Sequence, residues 1–180
     1  MRTHLLATTA VAAALLAATS ARAQTTGWTG AISSDWFTLG NWTAGVPTGA
    51  TNAFIDTVAP NATVVGTAGA TTSQLNVGDA GTGMLTIQSG GTVSSGGTPV
   101  GVNAGSQGTV TVTGAGSTWT ISNQGINVGQ GGTGMLTIQS GGTVNIGGQA
   151  VLGFVAGSQG TVTVTGAGST LTNNQSSIVV

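Results

Sequence analysis

The chain has 180 residues with a net charge of −1, three acidic side chains, two arginines, one histidine and no cysteine or tyrosine. No basic cluster exists, which excludes nucleic acid as an electrostatic partner and polybasic attraction to anionic lipid. The absence of cysteine excludes disulfides and thiolate chemistry.

Arg2 and His4 open the chain, Leu5 to Ala18 are mostly Leu, Ala, Val and Thr, and Ala21-Arg22-Ala23 is a small-x-small site. This layout predicts a secretory signal peptide over residues 1–23, cleaved after Ala23. The apolar stretch is shorter than the ~20 residues of a membrane span. Cleavage removes both arginines and the histidine. The mature chain, starting at Gln24, keeps Asp35, Asp56 and Asp79 as its only ionisable side chains.

Residues 24–76 carry Trp28, Trp36 and Trp42, three of the four tryptophans, with Phe37, Phe54 and two of the three prolines. Bulky residues at the end of a repeat array predict atypical cap coils that shield an open sheet end. A ligand platform is the competing use, with Trp28, Trp36, Trp42 and Asp35 as its contacts.

From residue 77 onward the chain repeats. Residues 81–93 recur letter for letter at 132–144, and GSQGTVTVTGAGST at 105–118 recurs at 157–170. The spacings are 51 and 52 residues, and Leu152 reads as the single insertion between them. The unit is itself double: Gly83-Met84-Leu85-Thr86-Ile87 precedes Gly108-Thr109-Val110-Thr111-Val112 by 25 residues. Apolar and polar residues alternate with the period of a strand buried on one face. Leu85, Val110, Leu136 and Val162 are therefore expected in one inner column, and Ile87, Val112, Ile138 and Val164 in a second. Thr86, Thr111, Thr137 and Thr163 form an outer ladder.

Glycine-rich corners follow each first strand, at Ser89-Gly90-Gly91 and Gly114-Ala115-Gly116. Second corners stand at Gly96-Gly97, Asn123-Gln124-Gly125 and Gly147-Gly148. A third strand ends in Val-Gly or a close variant. Glycine suits corners because it accepts positive φ without a Cβ clash. The expected fold is all-β: a right-handed parallel β-helix with three short strands per coil of about 25 residues. Residues 77–180 hold four such coils. Ile178-Val179-Val180 aligns with Ile126-Asn127-Val128, so the repeat is expected to be incomplete at the C-terminus.

Gly129-Gln130-Gly131-Gly132-Thr133-Gly134 matches GxGxxG, but a strand follows it where a dinucleotide fingerprint needs a helix. No cofactor is expected. A calcium nonapeptide repeat is rejected because only one Asp lies in the repeated part. The three aspartates are spaced 21 and 23 residues apart, close to one coil. They could stack on one face as the carboxylates of a polysaccharide-active β-helix, or they could build turns. No Lys, Arg, His or Tyr stands by to assist catalysis, so no catalytic or metal residue is assigned.

The repeats GxLTIxxGGxV and GTVTVTGxGSTWT, with their intervening Val-Gly, resemble those of bacterial autotransporter passengers and PEP-CTERM-type surface proteins. Trp28, Asp35-Trp36, Asn41-Trp42 and Gly45-Val46-Pro47 resemble the opening of such passengers after the signal peptide. The resemblance implies export and display at the cell surface of a Gram-negative bacterium, as an adhesin that contacts host or neighbouring cells, glycans or matrix. It implies an outer-membrane translocator barrel, whose alternating segments of ~10 residues are not expected within residues 24–180. A passive structural stalk and a polysaccharide-active β-helix are the alternatives.

Overall fold

A computed structural model describes residues 24–122, 124–174 and 178–180. The expected signal peptide and its cleavage after Ala23 lie outside the described residues. The described residues form a parallel β-solenoid of about six turns, about 26 residues per turn, with a three-residue 3-10 turn at Leu39–Asn41.

One side is a five-stranded sheet of β3 (Thr63–Val65), β5 (Thr82–Ile87), β7 (Gln107–Thr113), β10 (Thr133–Gln139) and β13 (Gln159–Thr165), all parallel. The other is a ten-stranded sheet. Its early coils are β1 (Gln24–Gly27), β2 (Thr51–Ile55), β4 (Ala70–Val77) and β6 (Thr92–Val100). Its later coils are split in two: β8 (Thr118–Ile121) with β9 (Ile126–Val128), β11 (Thr143–Ile146) with β12 (Ala150–Leu152), and β14 (Thr170–Asn173) with β15 (Ile178–Val179).

The inner columns fall where alternation puts them. Leu85, Val110, Leu136 and Val162 stack in register with Thr63 below them. Ile87, Val112, Ile138 and Val164 stack on Val65. On the second sheet, Ala70, Val93, Trp119, Val144 and Leu171 share another column. Each buried Val, Leu or Ile contributes ~1.5–3 kcal/mol and shares that gain with the coils above and below. The inward side chains of the last coil have no described coil stacked on them, and Val164 is 46% exposed.

Trp119 would overfill its column were the coil beneath it lined like the others. That coil carries Ser95 and Thr98 instead. Both are buried, and the indole Nε1 donates to Ser95 Oγ at 3.1 Å while Ser95 and Thr98 hydroxyls bond each other at 3.0 Å. Small polar residues make the room, and their bonds to the ring and to each other satisfy the buried donors.

The coils begin earlier and bend less sharply than the repeats alone suggest. Residues 51–77 already form a regular coil, with Ala53, Ile55, Leu75 and Val77 inward. In β4 and β6 the second corner is a bend within one continuous strand. The extra residue of the last repeat is also placed differently. Leu152 pairs with Val128 in the inner column, so it is not the insertion. The added length sits at the corner Gly147 to Gln149. A slip of one residue inside a strand would turn every inward side chain outward, whereas a corner absorbs it.

Two glycine columns close each coil. Gly78, Gly101, Gly129 and Gly153 have φ of 69–74°, a left-handed conformation open to glycine. Facing them, Gly83, Gly108, Gly134 and Gly160 leave no room for a side chain. A Cβ on Gly108 would lie 2.1 Å from the Val77 carbonyl oxygen. A Cβ on Gly66 meets nothing within 4 Å. Gly108→Ala is therefore expected to cost roughly 3 kcal/mol or more by overpacking. Gly66→Ala should be neutral or stabilise by about 0.5 kcal/mol through the unfolded chain. Urea unfolding followed by far-UV circular dichroism checks both.

Candidate functional site

The three N-terminal tryptophans form the lid of the solenoid. Asp35 bridges Val64 in parallel, which sets Trp36 over the Val65–Ile87–Val112 column. Trp42 packs edge-on against Trp36 at 4.7 Å and against Trp28 at 5.1 Å. Trp42 Nε1 donates to the Trp36 carbonyl at 2.7 Å, and Trp28 Nε1 to the Asn61 carbonyl at 2.8 Å. Trp36 is fully buried, Trp28 is 4% and Trp42 5% exposed. The ligand-platform expectation for Trp28, Trp36 and Trp42 is thus corrected. Their ring area is used to cover the first coil, and edge-to-face contacts of this kind add ~0.5–1.5 kcal/mol beyond burial.

Asn41 holds the loop that carries these rings. It is fully buried, accepts from the Ile32 and Ser33 amides at 2.9 and 3.0 Å, and donates to Ser33 Oγ and the Asp35 carbonyl. Asp35 is exposed, but its carboxylate closes the adjacent turn by accepting from the Phe37 amide and the Thr38 hydroxyl.

The structure brings Asp56 and Asp79 together and leaves Asp35 on a different sheet, so the three do not form one carboxylate row. Asp56 follows β2 at the place where later coils have Gly78, Gly101 and Gly129. Its carboxylate accepts from the backbone amides of Asp79, Ala80 and Gly81 in the next coil. The corresponding amides of Gln130, Gly131 and Gly132 converge on the Gly101 carbonyl oxygen at 2.9–3.2 Å. One anion-binding nest is filled by a side chain, the other by the coil below. The glycine-rich match at 129–134 is therefore a corner whose amides are already occupied.

Burial, and then the nearby Asp56 charge, push the Asp79 carboxyl above its ordinary range. Among the described residues no group of three His, Cys, Asp or Glu could hold a metal ion.

What remains as chemical surface is uncharged and repetitive. The outer side of the five-stranded sheet carries the rank Thr86–Thr111–Thr137–Thr163, flanked by Met84–Thr109–Met135–Thr161. Neighbouring ranks lie about 7 Å apart along each strand and about 4.8 Å from coil to coil. On the other sheet a groove of about 380 Å³ crosses several coils, lined by Thr71, Ser73, Ser94, Gly96, Ser122 and Gln124. Sequence reading missed this groove, because it arises from unequal corner lengths and not from any residue motif. No protein family, curated protein or solved structure matches the chain.

A raised folded-state pKa makes the Asp79 contribution to stability complete below the unfolded aspartate range. That contribution is lost as pH rises through the higher folded value. Asp79→Asn should remove this loss, so the stability difference between variant and wild type should grow in the variant's favour as pH rises across that window. Urea midpoints measured from pH 3 to 7 check it. A difference that stays flat or reverses would contradict the assignment.

Proposed function

We propose that the chain is an exported bacterial surface β-solenoid, the passenger part of an autotransporter-type adhesin, which works by multivalent polar contact along a rigid rod. The carrying observation is the uncharged, threonine-ranked outer face, repeated coil after coil in exact register. A face of this kind offers each partner surface the same hydroxyls and methyls many times. The leader-like residues 1–23 and the repeat resemblance support export and display, with host or neighbouring cells, glycans or matrix as partners.

Two features favour adhesion over a polysaccharide-cleaving role for the aspartates. The Asp56 carboxylate is occupied by three backbone amides, and Asp35 is engaged in its own turn. A pair of working carboxylates needs to face one bond with free oxygens.

The mature chain, residues 24–180, is expected to bind washed bacterial cells saturably. Thr111→Glu combined with Thr137→Glu, which plants two like charges on neighbouring coils of the outer face, should lower that binding at least fivefold. Flow cytometry with labelled protein measures both. Absence of saturable binding by the wild-type chain would leave a passive stalk as the better reading.

A further inference from the structure

The groove on the ten-stranded sheet is built by the coils themselves. Between the strand halves, the early coils have two-residue bends at Ser73-Gln74 and Gly96-Gly97. The next coil has four residues there, Ser122 to Gly125, and the one after has three, Gly147 to Gln149. The strand halves on either side stay in register, so the difference is taken up at the corners, where Ser73, Gly96, Ser122 and Gln124 line the trough. Gln124 lies over the bare backbone of Gly97, where a Cβ would come within 3.0 Å of its Oε1. A second hollow of about 220 Å³ lies on the other side of Gln124, lined by Gln74, Asn127 and Gln130 among others.

Two hydroxyls that line this trough, those of Thr72 and Ser95, are bonded internally, while its outward polar groups are unspent. The side chains of Thr71, Ser73, Ser94, Ser122 and Gln124 make no hydrogen bond within the described structure. At the capped end the opposite holds, since Asn41, Asp35, Asp56 and Asn61 are all engaged internally. A volume of about 380 Å³ falls in the range of small-ligand clefts. The lining sets the chemistry. Hydroxyls and amides both donate and accept, and the mature sequence has no Lys, Arg or His to pair an acid.

We propose that this trough, divided by Gln124, is a binding site for a neutral oligosaccharide that runs across the coils from β4 to β8. Three coils span on the order of 10 Å, room for a short run of sugar rings. The assignment rests on the adhesive reading and names the partner class it would take.

Isothermal titration of the mature chain with cellohexaose, maltohexaose and the N-acetylated chitohexaose tests it, with an oligogalacturonide as the charged comparison. At least one neutral sugar is expected to bind and the oligogalacturonide is not. Ser94→Phe, which fills the trough, and Gln124→Ala, which removes its divider, should each weaken binding at least tenfold. Both should leave the far-UV spectrum and melting temperature of the wild type. Failure of every neutral sugar to bind overturns the site. So does binding that neither substitution weakens, or a preference for the oligogalacturonide. Cell binding measured alongside separates the two readings. Cells bound without any sugar bound defeats the groove alone, whereas sugar bound without cells bound defeats adhesion alone.

Discussion

The structure depends on one constraint: every coil must return to the same inward register, whether the turn takes 22 residues (Ala53 to Leu75) or 28 (Val100 to Val128). Inward and outward side chains alternate with period two, so an error of one residue in a strand would expose a whole column. All variation in coil length is therefore pushed into the corners. The two-, four- and three-residue corners at 96–97, 122–125 and 147–149 show this directly. The groove follows from the same constraint, since a solenoid whose strands cannot change length can change its outer shape only where the chain turns.

The glycine pair at the third corner enforces that return. One glycine of each pair turns the chain left-handed, and the other lets the next strand start against the carbonyl of the coil below. Asp56 is informative as the exception. It stands where later coils have the left-handed glycine, is not itself left-handed, and sends its carboxylate up to the amides of the next turn. The first corner thus uses a side chain where later ones use a carbonyl.

Much of the fold was legible because identical repeats made the alternation plain. Leu85, Ile87, Val110 and Val112 could be assigned inward from the letters alone. The coil at 51–77 was less visible because its inward positions include Ala53, Thr63 and Thr72, which carry a weak apolar signal. Its alternating Ala53-x-Ile55, Thr63-x-Val65 and Leu75-x-Val77 were nonetheless present to be read. Leu152 looked like an insertion because letter matching favours the Val-Gly pair, whereas packing favours any apolar residue just before the glycine. The tryptophans were readable as cap or as platform, and only their place over the first column decides between them. The groove had no letter signature, since it depends on how corners of different length sit side by side.

Charge placement links this architecture to the adhesive use proposed for it. The three aspartates all lie in the first two coils or their corners, and the coils beyond Asp79 carry no ionisable side chain. Contacts made by that surface gain no long-range Coulomb steering, and they also lose nothing to salt screening. Single hydroxyl contacts contribute little against competing water, about 0.5–1.5 kcal/mol each at best. Repetition changes that balance. Once one coil is engaged, its neighbours about 4.8 Å away meet the same surface at high effective concentration, without the entropy cost of a new encounter. A rod that keeps its ranks in register is therefore worth more as a binding surface than the sum of its separate coils. The register constraint that holds the core together is the same one that gives the outer face this property.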